Sequence, residues 1–495
     1  MAKGKKTRPA EESEIPAGTP PSFGGPTGPG SGVETTGRFM IIFKPGAQDT
    51  ASVRSVLSKV AGIKDVAGTS DFKGVEFSTA ALEDSDTMHF EMSGVVRVSA
   101  DAVQSMAMSF SSDTDSPILA IEPELVCYTS AVPGFPPGVP IPVAVPILSP
   151  ADYLRGYQEA VNHLTDRLAG FGTAGLVAGG ASDAAGAGAA ATFADNAQFT
   201  WGLQATGVNT SPFTGAGVKV AVLDTGMDLG HIDFAGRAVV SQGFTGVPVQ
   251  DVFGHGTHCI GTACGSKQPS SGVRRYGIAH GSTIFVGKVF DNRPVPSAEM
   301  GAILAGIEWA RTNGCQIVSL SLGAPGVAQQ FQQYHMPTLL ALNSGCLVIA
   351  AAGNNANRGP SFSGFRPDRP ISNGVVEPPA NADAVIAVAA LDSQLRITAF
   401  SPRSTNVGVN GLGGIINISG PGFQVFSSAP GSGHRLDSGT SMATPHVAGI
   451  AALWCQATGD TGRALWTRLV SNVIPLNVMS SDCGAGLVRA PQSPT

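Results

Sequence analysis

The chain has 495 residues, 42% of them hydrophobic, with 64 glycines and 35 prolines. That length exceeds one ordinary core and calls for two or three folded units, with a large share of loop or linker between them. A formal net charge of −6 leaves no broad basic field, which argues against nucleic acid as a partner.

The N-terminus, MAKGKKTRPAEESEIPAG, carries positive charge but no apolar stretch, so it does not read as a secretory signal peptide. No run of about 18 strongly apolar residues occurs, so neither a transmembrane helix nor a membrane partner is expected. The compartment stays open between the cytoplasm and export by a route without a signal peptide. Residues 1–36 are polar and rich in Pro, Gly and Ser, and are expected to be a disordered tail.

Residues 37–130 read as a small α+β domain. RFMIIFKPGA (38–47) is a strand stopped by Pro45-Gly46. Val53, Val56, Leu57 and Val60 fall at helical spacing, with Asp49 or Thr50 as N-cap. GVEFSTAAL and GVVRVSAD read as strand pieces, and SPILAIEPELVCYTS (116–130) as a closing strand. Residues 131–196 are a linker. Its first part, AVPGFPPGVPIPVAVPILSP, has too many prolines for a helix or a central strand. Then Ser149 and Pro150 can start a helix with Leu154, Tyr157, Val161, Leu164 and Leu168 on one face, before a flexible Gly/Ala-rich stretch at 170–192.

Residues 197–495 read as a large α/β domain. VKVAVLDTG, TIFVGKVF, QIVSLSLG, CLVIAAAGN and AVIAVAAL are short apolar runs ending in Gly, Asn or polar residues, as buried parallel strands do. PSAEMGAILAGIEWARTNG and QQYHMPTLLALNSG between them read as helices.

Three segments of this domain carry chemistry. In VKVAVLDTGMD, Asp224 ends a buried strand, where a carboxylate needs hydrogen bonds; orienting an imidazole is one use, capping a turn the blander one. DTG also occurs in aspartic proteases, but no second copy with suitable flanks is present. In GHGTHCIGTACG, Gly254 and Gly256 flank His255 and allow a close backbone approach. A helix starting here would put its positive end at His255 and favour a neutral ring. In LDSGTSMATPHVAGIAALWCQA, Ser438 to Pro445 is loop-like and Val447 to Trp454 helical, which would expose a serine hydroxyl at the junction. Taken alone, that serine reads more simply as a helix cap.

Together, in the order Asp, His, Ser, the blocks AVLDTGMD, GHGTHCIGT and SGTSMATPHVAG resemble the signature blocks of the subtilisin-like serine proteases, or subtilases. Cysteine directly after HGTH resembles the proteinase-K-like branch. The resemblance implies an α/β, three-layer fold with a mainly parallel central sheet, and a serine endopeptidase that acts on protein or peptide substrates through an acyl-enzyme. It implies Asp224, His255 and Ser441 as the catalytic triad and, from the block VIAAAGNNA, Asn354 as the oxyanion donor. It also implies that Ser321, Leu322 and Gly323 pair with an extended substrate and wall its first specificity pocket, opposite Ala351, Ala352 and Gly353. Small residues there suit an apolar or aromatic substrate side chain, and no ring of carboxylates is evident that would demand Arg or Lys.

RFMIIFKPGA and AIEPELV resemble the two ends of the subtilase propeptide, which implies a zymogen whose own N-terminal domain is an intramolecular inhibitor. The family usually joins the two domains almost directly. Here 131–196 intervenes, so cleavage shortly after Tyr128 and cleavage within 170–200 both stay open, as does a domain retained for binding. No cofactor is expected for catalysis. Structural calcium is compatible with the family, with Asp228, Asp233 and Asp251 as candidates by composition alone.

Seven cysteines in such a chain do not make a disulfide scaffold. Cys315 and Cys346 stand at matching points before adjacent strands, as free thiols or as a pair. His258 and Cys259 are neighbours and would point about 100° apart on a helix, which disfavours zinc. His258 is expected to make structural hydrogen bonds, Cys259 to be a buried thiol beside the base, and Cys264 to pack. Two alternatives remain: a protein that cleaves only itself, and a catalytically silent peptide-binding module.

Overall fold

In a computed structural model, residues 34–72, 87–107, 116–129, 192–325, 329–405 and 414–493 are described. The expected strand at GVEFSTAAL, the linker helix from Pro150 and the Gly/Ala-rich stretch as far as residue 191 lie outside these residues, as does nearly all of the N-terminal tail.

The N-terminal elements are β1 (Thr35–Phe43), α1 (Thr50–Ala61), β2 (Ala67–Gly68), β3 (Thr87–Phe90), β4 (Val95–Val98), α2 (Ala100–Ala107) and β5 (Ile118–Thr129). β1 takes Thr35 and Thr36 from the stretch expected to be disordered tail. Backbone pairing decides this, since Thr35 lies opposite Leu125 and the Val126 N–H donates to the Glu34 carbonyl at 3.1 Å. The helix at 50–61 starts where its apolar spacing requires, and Asp49 is the cap, accepting from the Ser52 N–H at 2.9 Å.

β1 runs antiparallel to both β4 and β5. Alternation along these strands divides their side chains between two faces. Ile41, Phe43, Val96 and Val98 join Val53, Leu57 and Met106 of the two helices. Met40, Ile42, Met88, Phe90 and Leu125 face the other way, into a core shared with the rest of the chain.

The larger unit contains β6 (Lys219–Asp224), β7 (Val239–Gly243), α3 (His255–Cys264), β8 (Thr283–Lys288), β9 (Ser297–Glu299), α4 (Met300–Thr312), β10 (Ile317–Leu320), β11 (Leu322–Gly323), α5 (Gln332–Asn343), β12 (Leu347–Ala351), β13 (Val385–Leu391), β14 (Ile418–Pro421), β15 (Val425–Ala429), β16 (Gly433–Asp437), α6 (Thr440–Thr458), β17 (Val473–Ile474) and β18 (Leu487–Val488). Nine of these strands form one sheet in the order β17-β18-β14-β13-β12-β10-β6-β8-β7, parallel except at the β17–β18 edge. Both faces are buried, which is why the strands read as continuous apolar runs. Val220, Val222, Ile317 and Ile349 face the layer of α3 and α6. Ala221, Leu223, Val318 and Val348 face the layer of α4 and α5. The result is the expected three-layer α/β architecture. Among the described residues no helix is long and apolar enough to cross a membrane.

The stretch read as loop-like at 438–445 differs in the structure, because α6 already begins at Thr440 and keeps Pro445 inside it. A proline lacks the N–H that would bond to the carbonyl four residues back, at Ser441. That carbonyl is satisfied from outside the helix instead: Ser321 Oγ donates to it at 2.9 Å and Cys259 Sγ at 3.5 Å. Tertiary contacts thus replace the helical bond that a local reading finds missing.

Candidate active site

Asp224 stands at the C-terminal end of β6, between β10 and β8, and is 1% exposed. Its Oδ1 accepts from the Thr225 N–H and from His255 Nδ1, both at 2.7 Å. The carboxylate therefore fixes the proton of a neutral ring on Nδ1. Nε2, the end left with the lone pair, is buried and has no hydrogen-bond partner among the described residues.

The close approach depends on Gly256, the second residue of α3. A Cβ there would overlap the Gly226 carbonyl oxygen, so any larger residue would push α3 away from Asp224. The same junction is closed by side chains. Gly256 N–H donates to Thr225 Oγ1 at 2.8 Å, and Thr225 Oγ1 donates to Asp251 Oδ1 at 2.9 Å. Asp251 also accepts from the N–H groups of Phe253, Gly254 and Thr257 and so covers the start of α3. The sequence alone offers Asp251 only as a metal candidate.

Burial by itself would lower the basicity of His255, but the Asp224 carboxylate and the nearby Cys259 outweigh it and hold the imidazole well above its ordinary 6.5. The sequence expectation, that the helix end keeps the ring neutral, differs from this. A helix terminus acts as roughly half a charge and Asp224 supplies a full one in direct contact, so the carboxylate dominates.

Ser441 lies in the first turn of α6 and is fully buried. Gly439, immediately before the helix, has φ 154 and ψ 164, a conformation essentially confined to glycine. Ser441 Oγ donates to the Ser321 carbonyl at 3.1 Å. Cys259, one turn after His255, lies between the base and the serine segment, with Sγ 4.0 Å from His255 Nδ1 and 3.5 Å from the Ser441 carbonyl oxygen. Asn354, just past β12, is tied to the same turn: its Oδ1 accepts from the Thr440 N–H at 3.0 Å, which leaves Nδ2 as the donor end of the amide.

His258 donates from Nε2 to the Val425 carbonyl at 2.9 Å, and burial lowers its pKa to about 4. It acts as a neutral tie between α3 and β15. All seven cysteines are buried and free, Cys315 and Cys346 included, so of the alternatives for that pair the structure has thiols.

β5, from the N-terminal sheet, passes between two segments of the larger unit. It runs antiparallel to β11, with Thr129 opposite Leu322 and Tyr128 opposite Gly323. On its other side it pairs with β9, with Cys127 opposite Ala298. Leu322 and Gly323 therefore border an extended segment of the chain's own N-terminal unit. Ala351 ends β12 with Ala352 and Gly353 following, and all three are buried. One residue without any mark in the sequence also lies here. The buried Glu377 donates its N–H to the Ala352 carbonyl at 2.9 Å and packs its carboxylate against Gly323 and Gly353. No local signal marks Glu377, because only the fold brings its loop to the strand ends.

The carboxylates considered for calcium do not fit that ion. Asp228 accepts from the N–H groups of Gly230 and Gly431 and from Gln250 Nε2. Asp233 accepts from Tyr276 OH at 2.7 Å, from His434 Nε2 at 2.8 Å and from Ser271. Asp251 is engaged as above. A hard cation requires oxygen ligands, and these carboxylates are ringed by donors. His231, Asp233 and His434 also come together, but both His231 nitrogens are engaged, Nδ1 by the Asp233 N–H and Nε2 by the Gly433 carbonyl.

The description "Subtilase family" belongs to the family model that matches residues 215–481, which include Asp224, His255, Asn354 and Ser441. The chain belongs to the subtilase family. It is similar to "Thermitase" from Thermoactinomyces vulgaris, with 35% identity over 48% of this chain and 75% of that protein. It is similar also to "Subtilisin DY" from Bacillus licheniformis, with 34% identity over 51% of this chain and 81% of the relative. "Subtilisin Savinase" from Lederbergia lenta shares 34% identity over 59% of this chain and 96% of its own length. This subtilase is a serine-type endopeptidase, and its substrates are proteins or peptides.

The position of Cys259 gives a prediction. Burial raises its pKa, although His255 pulls the other way, so the thiol is a poor nucleophile but remains a good ligand for soft metals. A mercurial reagent is expected to abolish peptide turnover, and Cys259→Ala to keep turnover while resisting the reagent. Stoichiometric labelling of Cys259 with full activity would contradict that placement.

Proposed function

We propose that Asp224, His255 and Ser441 form the catalytic triad of this endopeptidase. The observation that carries the reading is the buried Asp224–His255 contact at 2.7 Å, with Nε2 left unpartnered among the described residues and Ser441 on the facing helix turn. In the reaction, Nε2 takes the Ser441 proton as Oγ attacks the scissile carbonyl, then returns it to the leaving amine. Asp224 keeps the tautomer and stabilises the imidazolium. The Ser441 hydroxyl leaves its resting bond to the Ser321 carbonyl to do this, and such rearrangement is ordinary for a site without substrate. Cysteine directly after His258 supports the proteinase-K-like branch.

Asn354 is the side-chain donor to the oxyanion, with the Ser441 N–H as the second. The fixed orientation of its amide supports this, because donors set in advance stabilise developing charge without rearranging. Asn354→Ala is expected to lower kcat by about 10²–10³ with KM little changed. A KM effect without a kcat effect, in steady-state assays, would exclude the role.

The enzyme is made as a zymogen in which the N-terminal α+β domain inhibits by lying in the substrate groove. The antiparallel pairing of Tyr128 and Thr129 with Leu322 and Gly323 supports that reading, since it is how an extended substrate would bind. Two carboxylates of β5 support it further. Glu122 accepts from the N–H groups of Gln332 and Gln333 at the start of α5, at 2.8 and 2.9 Å, and Glu124 from the Gly301 N–H at the start of α4, at 2.9 Å. Each satisfies orphan donors of a helix in the other unit. Of the two maturation sites left open, the register favours the one shortly after Tyr128, with 37–130 as the inhibitor domain and 197–495 as the peptidase domain.

The test is to incubate the full chain and its Ser441→Ala variant, following turnover of fluorogenic peptides and the N-terminal sequence together. Turnover and a new N-terminus beyond residue 129 in the wild type alone support the zymogen. Self-cleavage without peptide turnover would favour a protein that cleaves only itself. Neither activity in folded protein would leave a binding module.

A further inference from the structure

β11 and β12 end side by side, and the loop that closes the space between them begins at Glu377. Three backbone bonds hold that loop in place: Glu377 N–H to the Ala352 carbonyl at 2.9 Å, Ala324 N–H to the Pro378 carbonyl at 3.0 Å, and Asn381 N–H to the Glu377 carbonyl at 3.1 Å. The carboxylate is thus built on a rigid support reaching both strand ends. It is 3% exposed.

Oε1 is anchored by Asn355 Nδ2 at 2.6 Å. Oε2 lies between the walls. A Cβ on Gly323 would stand 2.9 Å from it and a Cβ on Gly353 2.7 Å, closer than real side chains come. Glycine on both walls is therefore what makes room for this carboxylate. The carboxylate thus lies between the ends of β11 and β12, against Gly323 and Gly353.

We infer that Glu377 is a specificity-determining residue, and that this protease prefers a basic side chain, Arg or Lys, at the residue preceding the scissile bond (P1). The inference rests on the reading of those two segments as the walls of the P1 pocket. A long basic side chain entering between the small walls would bring its charge to this carboxylate, and a charge-assisted hydrogen bond favours it there. A phenyl or isobutyl group at the same place would bring no charge to meet the carboxylate. The expectation of an apolar or aromatic P1 residue, drawn from the small walls alone, is reversed by what stands behind them. The chain's own first cleavage is intramolecular, where high effective concentration relaxes this demand.

The experiment uses the full chain once its turnover is steady, with peptides that differ only at P1: Arg, Lys, Phe, Leu or Ser. The wild type is expected to show kcat/KM for Arg and Lys at least about tenfold above Phe and Leu. Glu377→Gln is expected to collapse the Arg-to-Phe ratio by a similar factor. A Ser441-dependent profile led by Phe, Leu or Ser overturns the inference alone, as does an unchanged ratio in a folded Glu377→Gln variant. If that variant does not fold, the wild-type profile decides, together with inhibition by peptide aldehydes ending in argininal or phenylalaninal. Stronger inhibition by the argininal supports the inference, and equal or weaker inhibition overturns it. Absence of Ser441-dependent turnover of every peptide overturns the reading of the site, and the inference with it.

Discussion

Ser441→Ala is expected to reduce kcat by about 10⁶ while leaving the protein folded. The loss is large because the members of the proposed triad would act as a unit. Without Oγ the basicity that Asp224 confers on His255 has nothing to act on, and the residual rate comes only from substrate positioning and oxyanion stabilisation, worth about 10³–10⁴ over water. The structural cost is small by comparison. Among the described residues Oγ makes one bond, to the Ser321 carbonyl, and removing it costs on the order of 1 kcal/mol. The contacts that shape the turn involve the Ser441 carbonyl rather than its side chain, namely those from Ser321 Oγ and Cys259 Sγ, and they survive. A thermal melt close to that of the wild type, alongside turnover at the assay floor, is the expected pair of results. Turnover within tenfold of the wild type would remove Ser441 from the chemistry altogether.

Much of this site is legible along the chain, and the reason is local. Asp224 must end a buried strand, and the apolar run VAVL before it says so. His255 must begin a helix that comes close to that strand end, and Gly254 and Gly256 say so. The start of α6 misleads a local reading because Pro445 breaks the helical pattern, while the compensating donors, Ser321 and Cys259, lie 120 and 182 residues away in sequence. Glu377 is hidden for the same kind of reason. Nothing in NGVVEPPANAD marks a residue that meets the strand ends, and Glu377 comes there only when its loop bridges the ends of β11 and β12. Asp251 has a visible carboxylate and no visible partner, so composition offers it to calcium, whereas the fold surrounds it with the N–H groups of α3. Motifs report chemistry carried by one segment. Groups whose surroundings come from several segments stay silent until the chain is folded.

Asp224→Asn separates orientation from packing, because it keeps the shape of the side chain and removes its charge. Both of these bonds fall on Oδ1 of Asp224, so an amide nitrogen in that place meets His255 Nδ1 and forfeits the Thr225 N–H bond. The ring answers by accepting there and carrying its proton on Nε2, the atom that must take the Ser441 proton. A loss of kcat of about 10⁴ is expected from this change of tautomer. The pH profile distinguishes it from a merely structural effect. In the wild type Asp224 holds the His255 pKa well above 6.5 against the opposing effect of burial, and only the neutral ring is a base. Activity is therefore expected to rise with pH through a single-proton limb centred above 6.5, and to be lost below it. With the carboxylate gone, burial loses its largest opponent and the pKa falls, so the limb of the Asp224→Asn enzyme moves to lower pH even as its plateau drops. Stopped assays of kcat/KM across the acid range can read this shift despite the low rate. A limb that stays where the wild type has it would mean that some charge other than Asp224 sets the basicity of His255.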